Sequence, residues 1–304
     1  MNELHVSTNS LRAWLLAARP KTLPASIAPV LIGTGLLIAD PQVHLKVLPT
    51  LVCFLFALWM QIASNLINDL YDFLKGSDGK DRLGPRRATA EGWITPRAMR
   101  WGIGIVLLCA CLTGCLALYY AGWPLIVVGI ACVAGAYAYT SGPYPLAYKG
   151  WGDVLVFLFF GVVPVCTTYW IQAGRLTQEV VLASVLCGAV VDTLLVLNNF
   201  RDRVEDSLSG KRTLIVRYGV SFGRYFYLIL GLSACWFCLV FAVEGYVFAA
   251  VLPQVYLFFH ISSWRRMVRI GSGRELNRIL AETGRNIFLY ALLLATGFAL
   301  NALG

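Results

Sequence analysis

Nine long apolar segments dominate this sequence and constrain its fold more than any other feature. Each is close to the roughly 17–25 residues that a helix needs to cross the hydrocarbon core of a bilayer. Only 13% of the 304 residues are charged, about half the fraction that is typical of soluble domains. The segments therefore predict an all-α, polytopic membrane protein with nine transmembrane helices and no sizeable soluble domain. They lie at about 22–39, 47–67, 99–119, 122–140, 152–172, 180–199, 224–243, 245–264 and 285–303.

The positively charged residues are divided very unevenly between alternate loops. Twenty-three of the 25 Lys and Arg fall in the N-terminal region and in the loops after the second, fourth, sixth and eighth segments, and the other loops hold only Lys46 and Arg175. Cytoplasmic loops of membrane proteins are enriched in Lys and Arg. We therefore predict a cytoplasmic (inner) membrane protein with its N-terminus in the cytoplasm and its C-terminus outside. Since topology accounts for the net charge of +9, we expect membrane lipid around the protein and no nucleic-acid partner.

An acidic cluster follows the second apolar segment, in the stretch NLINDLYDFLKGSDGKDR (65–82). If the helix continues into this stretch, Asn65, Asn68, Asp69 and Asp72 share one of its faces, because they are three or four residues apart. Carboxylates at that spacing repel one another, which favours a divalent cation between them. Carboxylate and amide oxygens without His or Cys are hard ligands suited to Mg²⁺.

A second cluster follows the sixth segment, in VLNNFRDRVEDSLSGKRTL (196–214), where Asn198, Asp202 and Asp206 repeat the spacing. Either cluster alone has an ordinary alternative interpretation as a solvated cytoplasmic loop. The repeated spacing at equivalent helix ends favours a functional site. Acids for a metal and bases for phosphate oxygens, beside an oily bundle, indicate a substrate with a diphosphate head and a hydrocarbon tail. The interleaved bases are Lys75, Lys80, Arg82, Arg86, Arg87, Arg201, Arg203, Lys211 and Arg212.

These motifs resemble those of the UbiA superfamily of intramembrane aromatic prenyltransferases. The likeness runs from about residue 15 to 220 and is carried by NDLYD…KGSD with RLGPRRATAEGWITP, by YTSGPYPLAYKGWGDVLVFLFFGVVPV and by NNFRDRVEDSLSGKRTL. The KGSD extension is similar to the branch that prenylates 1,4-dihydroxy-2-naphthoate. The resemblance implies one transmembrane domain over residues 1–304, a nine-helix bundle around a central cavity. Motif loops at about 65–98 and 198–223 would form a cytoplasmic cap.

The resemblance also implies an activity. It is the Mg²⁺-dependent transfer of a polyprenyl group from polyprenyl diphosphate to 1,4-dihydroxy-2-naphthoate, with loss of carbon dioxide and diphosphate, giving demethylmenaquinol for menaquinone biosynthesis. Other acceptors, such as 4-hydroxybenzoate or homogentisate, are alternatives. An alternative of a different class is a cation transporter with an acidic vestibule, although transporters usually place ionisable residues near the membrane midplane.

The acid Asp192 lies inside the sixth segment, two turns deeper than Asn199, where an ionisable residue is a functional-site hypothesis by default. A hydrogen-bonded packing role is an equally good interpretation.

The expected site residues fall into three groups. The expected catalytic residues are Asp72, Lys149, Asp192 and Asp202. The expected diphosphate-binding residues are Arg82, Lys149, Asn199, Arg201 and Lys211. The expected metal ligands are Asn68, Asp69, Asp72, Asp78, Asn198, Asp202 and Asp206.

Overall fold

Helices form nearly all of the regular structure in this protein. The computed structural model describes residues 6–76 and 82–302, and within those ranges there is no β-strand. The all-α expectation is therefore confirmed. The helices are α1 (Leu11–Ala18), α2 (Leu23–Ala39), α3 (Val47–Leu74), α4 (Pro96–Ala121), α5 (Pro124–Thr140), α6 (Gly152–Ala173), α7 (Gln178–Leu208), α8 (Leu214–Val243), α9 (Val247–Ile270) and α10 (Leu276–Asn301).

Each of the nine predicted apolar segments lies largely within a helix, but not all of those helices have membrane-spanning length. In the described part of the chain, α3, α4 and α6 to α10 are long and apolar enough to cross a bilayer. The pair α1 and α2, bent by 55°, would make an eighth span. The 17 residues of α5 cover only about 25 Å at 1.5 Å per residue, against a core of about 30 Å. The protein thus spans the membrane several times, and the count of nine stays a prediction.

The bend between α1 and α2 centres on Arg19. This residue has a left-handed backbone (φ 52°) and is followed by Pro20, a combination that few non-glycine residues adopt. Leu11 and Leu15 of α1 are exposed, as expected for a short amphipathic helix at the membrane surface.

The helix α7 lies at the centre of the bundle, with 72% of its most apolar stretch buried, against 22% for the peripheral α4. Small residues allow its neighbours to approach closely, as is common between membrane helices. A Cβ atom on Gly161 of α6 would lie 2.3 Å from the Cα of Gly188 of α7. Similarly, a Cβ on Gly35 of α2 would lie 2.5 Å from the Cα of Ala295 of α10. Larger side chains at these contacts would separate the helices.

Two helices extend well beyond the bilayer core and carry the acidic motifs. The 28 residues of α3 and 31 residues of α7 correspond to about 42 and 46 Å, against a hydrocarbon core of about 30 Å. Much of the expected cap is therefore helical, because α3 continues to Leu74 and α7 to Leu208. The loops that complete the cap are 82–95, 141–151 and 209–213.

A cavity of about 740 Å³ lies beside α3 and is also lined by residues of α2, α4, α5 and α6. Most of its lining is apolar. Polar side chains border it near the C-terminal part of α3, and they are Gln61, Ser64, Asn65, Asn68 and, from α5, Tyr139. The cavity therefore has an apolar body and a polar end that points to the first acidic motif.

Candidate active site

Asp72 occupies the last full turn of α3 and lies at the centre of the first motif. Its Oδ2 is 2.5 Å from Nη2 of Arg87, and both side chains are less than a tenth exposed. Its Oδ1 accepts a hydrogen bond from the hydroxyl of Tyr148 at 3.0 Å. One turn earlier, the carbonyl of Asn68 accepts a second hydrogen bond from Arg87, and its Oδ1 accepts one from Thr140. Each oxygen of an ionised carboxylate has more than one lone pair, so Asp72 retains capacity for a metal ion.

Asp69 is directed elsewhere, although it precedes Asp72 by only three residues. Its two carboxylate oxygens accept hydrogen bonds from the backbone N–H groups of Ala88 and Thr89, each at 2.9 Å. These contacts anchor the loop that carries Arg87. Asp69 therefore holds the backbone of this loop. Because each of its oxygens keeps a further lone pair, as those of Asp72 do, its metal-ligand role stays a prediction.

The second motif is built around an arginine that the sequence analysis assigned to diphosphate. Arg201 is 2% exposed, and its guanidinium donates to both oxygens of Asp202, at 2.6 and 2.5 Å. It also donates to the side-chain oxygens of Asn198 and Asn277. These contacts use four of the five N–H donors of the guanidinium and leave one on Nη1. Arg201 therefore orients Asp202 and Asn198, and its role in diphosphate binding stays a prediction.

Asp206 has spare ligand capacity. Its Oδ1 lies 3.4 Å from the ammonium of Lys211, and its buried Oδ2 has no hydrogen-bond partner among the described residues. An unpartnered buried carboxylate oxygen is costly unless a ligand completes it. Asp206 is therefore the residue whose surroundings best fit a metal ion.

The two motifs meet at one end of the bundle. The backbone N–H of Leu83, in the loop after the first motif, donates to Oε1 of Glu205 in the second at 3.1 Å. Tyr148 connects them again: its hydroxyl contacts Asp72, and its ring lies 5.9 Å from the ammonium of Lys211. Tyr148 was missed by sequence reasoning; its only signal is its position beside Lys149 in the PYPLAYK loop.

The remaining basic side chains lie around this meeting point. Lys75 contacts the carbonyl of Thr140 and lies 4.6 Å above the Tyr148 ring; partial burial lowers its pKa, and Asp72 partly offsets this effect. Arg82 donates to the carbonyl of Pro85. The ammonium of Lys149 is exposed and lies 5.1 Å from the Tyr144 ring.

A further arginine near the first motif was not anticipated. Nη2 of Arg19 is buried without a hydrogen-bond partner among the described residues, in the electrostatic surroundings of Asp69, Asp72 and Arg87. Its left-handed backbone turns the chain at the bend between α1 and α2. No spacing rule in the sequence predicts that this arginine lies near the first motif.

Asp192 is buried in α7 away from these groups. Its Oδ1 has no hydrogen-bond partner among the described residues, and its charged neighbour is Asp153 at the start of α6. Neither side chain belongs to the cavity lining. Its catalytic role therefore stays a prediction, as does the role of Asn199, which is buried on the same helix.

The donor set fits magnesium supplied with a phosphate ligand. Within residues 6–76 and 82–302, no three His, Cys, Asp or Glu side chains converge on one point. The oxygen donors Asn68, Asp72, Asp202 and Asp206 come instead in ones and twos, which is how proteins usually hold Mg²⁺ when substrate phosphates and water complete its shell. Asp78, also expected as a ligand, lies outside the described residues.

A bundle of membrane helices with an apolar cavity, bordered at one end by acidic and basic side chains, indicates a membrane-embedded protein with a site for an amphiphilic ligand. The family model described as "UbiA prenyltransferase family" matches residues 26–280. The chain therefore belongs to the UbiA prenyltransferase family, and it is a prenyltransferase.

Individual relatives agree with this assignment. The 1,4-dihydroxy-2-naphthoate octaprenyltransferase of Haemophilus influenzae is 33% identical over 267 residues, covering 83% of this chain and 86% of that protein. The protein of the same name from Mycobacterium tuberculosis is 36% identical over 299 residues, covering 97% and 99%. Among solved structures, a UbiA homologue from Archaeoglobus fulgidus bound to GPP and Mg²⁺ has a TM-score of 0.65, at 17% identity and with 94% and 98% of the two chains covered. That structure confirms the fold.

Proposed function

We propose that this enzyme transfers a polyprenyl group from polyprenyl diphosphate to 1,4-dihydroxy-2-naphthoate, with Mg²⁺, and releases diphosphate and carbon dioxide. The product would be demethylmenaquinol. The observation that carries the proposal is the meeting of both acidic motifs above the polar end of one apolar cavity. That arrangement suits a substrate whose charged head stays in the cap while its hydrocarbon tail lies in the cavity.

The relatives support the choice of substrates. Those from H. influenzae and M. tuberculosis are named for prenyl transfer to 1,4-dihydroxy-2-naphthoate, and the A. fulgidus homologue binds a prenyl diphosphate together with Mg²⁺. Because two relatives share the acceptor while differing in sequence, the naphthoate is our first choice over 4-hydroxybenzoate and homogentisate.

In this proposal the acidic residues hold the metal and the basic residues hold the diphosphate. Asp72, Asp202, Asp206 and Asn68 would bind Mg²⁺, which supplies electrostatic stabilisation of the negative charge that develops on departing diphosphate. Lys211 would bind diphosphate oxygens by charge-assisted hydrogen bonds, as would Arg82 and Lys149. Lys149 would first have to turn away from the Tyr144 ring.

The cavity would protect the reactive end of the prenyl chain. As the diphosphate leaves, positive charge builds on the first carbon of the chain, and water would capture it. The apolar walls exclude water, and the ring face of Tyr139 at the polar end offers cation–π stabilisation. The electron-rich acceptor ring then forms the new carbon–carbon bond, and its carboxylate leaves as carbon dioxide.

Asp192 would act indirectly in this scheme. Its carboxyl and that of Asp153 lie near each other, and Tyr139 lies within the electrostatic range of both. We propose that the pair influences the orientation of Tyr139, with Asn199 bordering the diphosphate. The single-domain organisation over residues 1–304, capped by the motif segments, is part of the same proposal.

The test is a competition between acceptors. Purified enzyme in detergent receives Mg²⁺, a polyprenyl diphosphate, and equal amounts of 1,4-dihydroxy-2-naphthoate and 4-hydroxybenzoate, and mass spectrometry identifies the products. We expect a prenylated naphthoquinol without the carboxylate, formed only when EDTA is absent. Prenylated hydroxybenzoate alone would overturn the acceptor, and cation flux in vesicles without diphosphate release would favour the transporter.

A further inference from the structure

Gln61 is a buried amide on the wall of the cavity, one turn deeper along α3 than Asn65. Its side chain is 6% exposed and borders the cavity. Its Oε1 is buried and accepts no hydrogen bond from the described residues. Buried polar atoms in native proteins nearly always have a partner. A hydrogen-bond donor on a bound ligand would supply the missing partner.

The neighbours of Gln61 determine how its amide is oriented. Nδ2 of Asn65 donates to the carbonyl of Ala18 at 2.9 Å, and a carbonyl can only accept. Asn65 therefore presents its Oδ1 to Gln61, whose Nε2 donates to it at 3.2 Å. The hydroxyl of Thr22 donates to the carbonyl of Arg19 and so accepts from both amides. With Nε2 engaged by the protein, the hydrogen-bond network assigns Oε1 as a free acceptor.

The depth of Gln61 suits the acceptor ring rather than the diphosphate. Seven residues of helix, about 10 Å, separate it from Asn68, and eleven residues, about 16 Å, separate it from Asp72. A diphosphate held in the cap would not extend that far into the cavity. The lining beyond Gln61 is mainly apolar, with residues such as Val52, Cys53 and Phe56, and suits the prenyl tail.

A ligand that completes Oε1 must bring a hydrogen-bond donor. The acceptor of the proposed reaction has two hydroxyl groups. Its 1-hydroxyl is adjacent to the carboxylate and forms an internal hydrogen bond with it. The 4-hydroxyl has no such partner and is the free donor of the ring.

We propose that Gln61 Oε1 accepts a hydrogen bond from the 4-hydroxyl of the aromatic acceptor, so that Gln61 determines acceptor specificity. This assignment rests on the proposed function, because it takes the naphthoate as the acceptor. The amides of Gln61 and Asn65, with the Thr22 hydroxyl, then form a preorganised polar strip in an otherwise apolar wall. An acceptor that lacks the 4-hydroxyl leaves Oε1 buried and unpaired and binds more weakly.

Two inhibitors test the contact. The competing analogues are 1-hydroxy-2-naphthoate, which lacks the 4-hydroxyl, and 4-hydroxy-2-naphthoate, which retains it. Against wild-type enzyme we expect the second to inhibit with a Ki about tenfold lower, the effect of one neutral hydrogen bond. In Gln61→Met, which keeps the side-chain length without the acceptor oxygen, the ratio of the two Ki values should fall towards one. The KM for polyprenyl diphosphate should not change, because Gln61 lies far from the cap.

A matched control separates this contact from a general loss of structure. Gln254→Met removes another amide, which donates to the carbonyls of Cys235 and Ala250 and does not line the cavity; its Ki ratio should equal that of wild type. If Gln61→Met does not fold, Thr22→Val provides a second test, since it removes one of the two acceptors that hold Gln61 Nε2; a less firmly held amide should also lower the ratio of the two Ki values.

The outcomes distinguish this inference from the proposed function. A wild-type Ki ratio that is unchanged in Gln61→Met and Thr22→Val overturns the role of Gln61 and leaves the reaction intact. A wild-type preference for the 1-hydroxy analogue overturns the 4-hydroxyl contact. If neither analogue competes with wild type, the naphthoate acceptor is wrong, and the role of Gln61 fails with it.

Discussion

The ion pair between Asp72 and Arg87 provides a test of the metal site that does not depend on catalysis. Both side chains are less than a tenth exposed, with 2.5 Å between Oδ2 and Nη2. Removing one partner of a buried pair leaves an uncompensated charge and costs about 3–5 kcal/mol. At about 2–4 °C per kcal/mol for a chain of a few hundred residues, Arg87→Met should lower the unfolding temperature in EDTA by about 6–20 °C.

Magnesium should recover much of that loss if Asp72 is a ligand. A metal that binds only the folded protein stabilises it by about 2.7 kcal/mol at 100 times its Kd. The variant lacks the cation that balances Asp72, so it should gain more from Mg²⁺ than wild type does. We expect the loss in saturating Mg²⁺ to be about half of the loss in EDTA. The assay is thermal unfolding in detergent, followed by thiol labelling of the free cysteines or by size exclusion after heating.

Arg175→Met is the matched control, because Arg175 makes a similar 2.6 Å contact with Asp40 at the opposite end of the bundle. Arg175 is 40% exposed, so its removal should cost less, and the cost should be the same in EDTA and in Mg²⁺. An Arg87→Met variant destabilised equally in both conditions would refute the assignment of Asp72 to the metal.

Three further predictions test the cap and the opposite end. Asp206→Asn should lower kcat by about 100-fold or more, since it removes a preorganised charge at the site of charge development. Lys211→Met should raise the KM for polyprenyl diphosphate by about tenfold, the effect of one charge-assisted contact, without changing the KM for the acceptor. Burial alone would raise the pKa of Asp40, but hydrogen bonds from Tyr169 and the Gln42 N–H, together with Arg175, hold it below its usual value. This carboxylate therefore stabilises the fold above about pH 4, and its contribution should be lost as the pH falls through the lowered pKa. In Tyr169→Phe the loss of stability on acidification should be smaller. Unfolding temperatures measured at several pH values test both expectations.

The helical positions of both motifs could be predicted from sequence because they depend only on local periodicity. A long apolar run that leads directly into NDLYD, with no Gly or Pro after Pro49, predicts a helix that extends beyond the membrane. The three- and four-residue spacing then places Asn68 and Asp72 on one face. The same reasoning holds for Asn198, Asp202 and Asp206 on α7. These inferences require no knowledge of distant residues, and the helices have the predicted form.

The partners of these residues could not be predicted, because they come from distant parts of the chain. Asp69 and Asp72 are both acids on one helix face, yet one holds the loop backbone and the other contacts Arg87 and Tyr148. Only the conformation of the 82–95 loop distinguishes them. Arg201 has the same limitation: an arginine in this motif suits a phosphate, but the sequence does not show that the adjacent Asp202 and the distant Asn277 contact its guanidinium.

The predicted orientation of the protein in the membrane rests on the uneven distribution of Lys and Arg between its loops, and one pair of variants tests it. The end of the bundle opposite the motifs holds Lys46 and Arg175, the two cationic residues assigned to outside loops. The two variants are Gln42→Cys and Ser272→Cys. Gln42 lies in an exposed loop at that end, and Ser272 lies in an exposed loop between α9 and α10.

A membrane-impermeant maleimide should label Gln42→Cys in intact cells and Ser272→Cys only after permeabilisation, with the parent protein as the background control. This pattern is expected because moving the many Arg and Lys residues of the cap loops to the outside would violate the charge bias that orients membrane proteins. The consequence for function is direct, since a cap in the cytoplasm receives Mg²⁺ and diphosphate substrates from the compartment where they are made. Labelling of Ser272→Cys alone in intact cells would reverse the topology and remove that supply route.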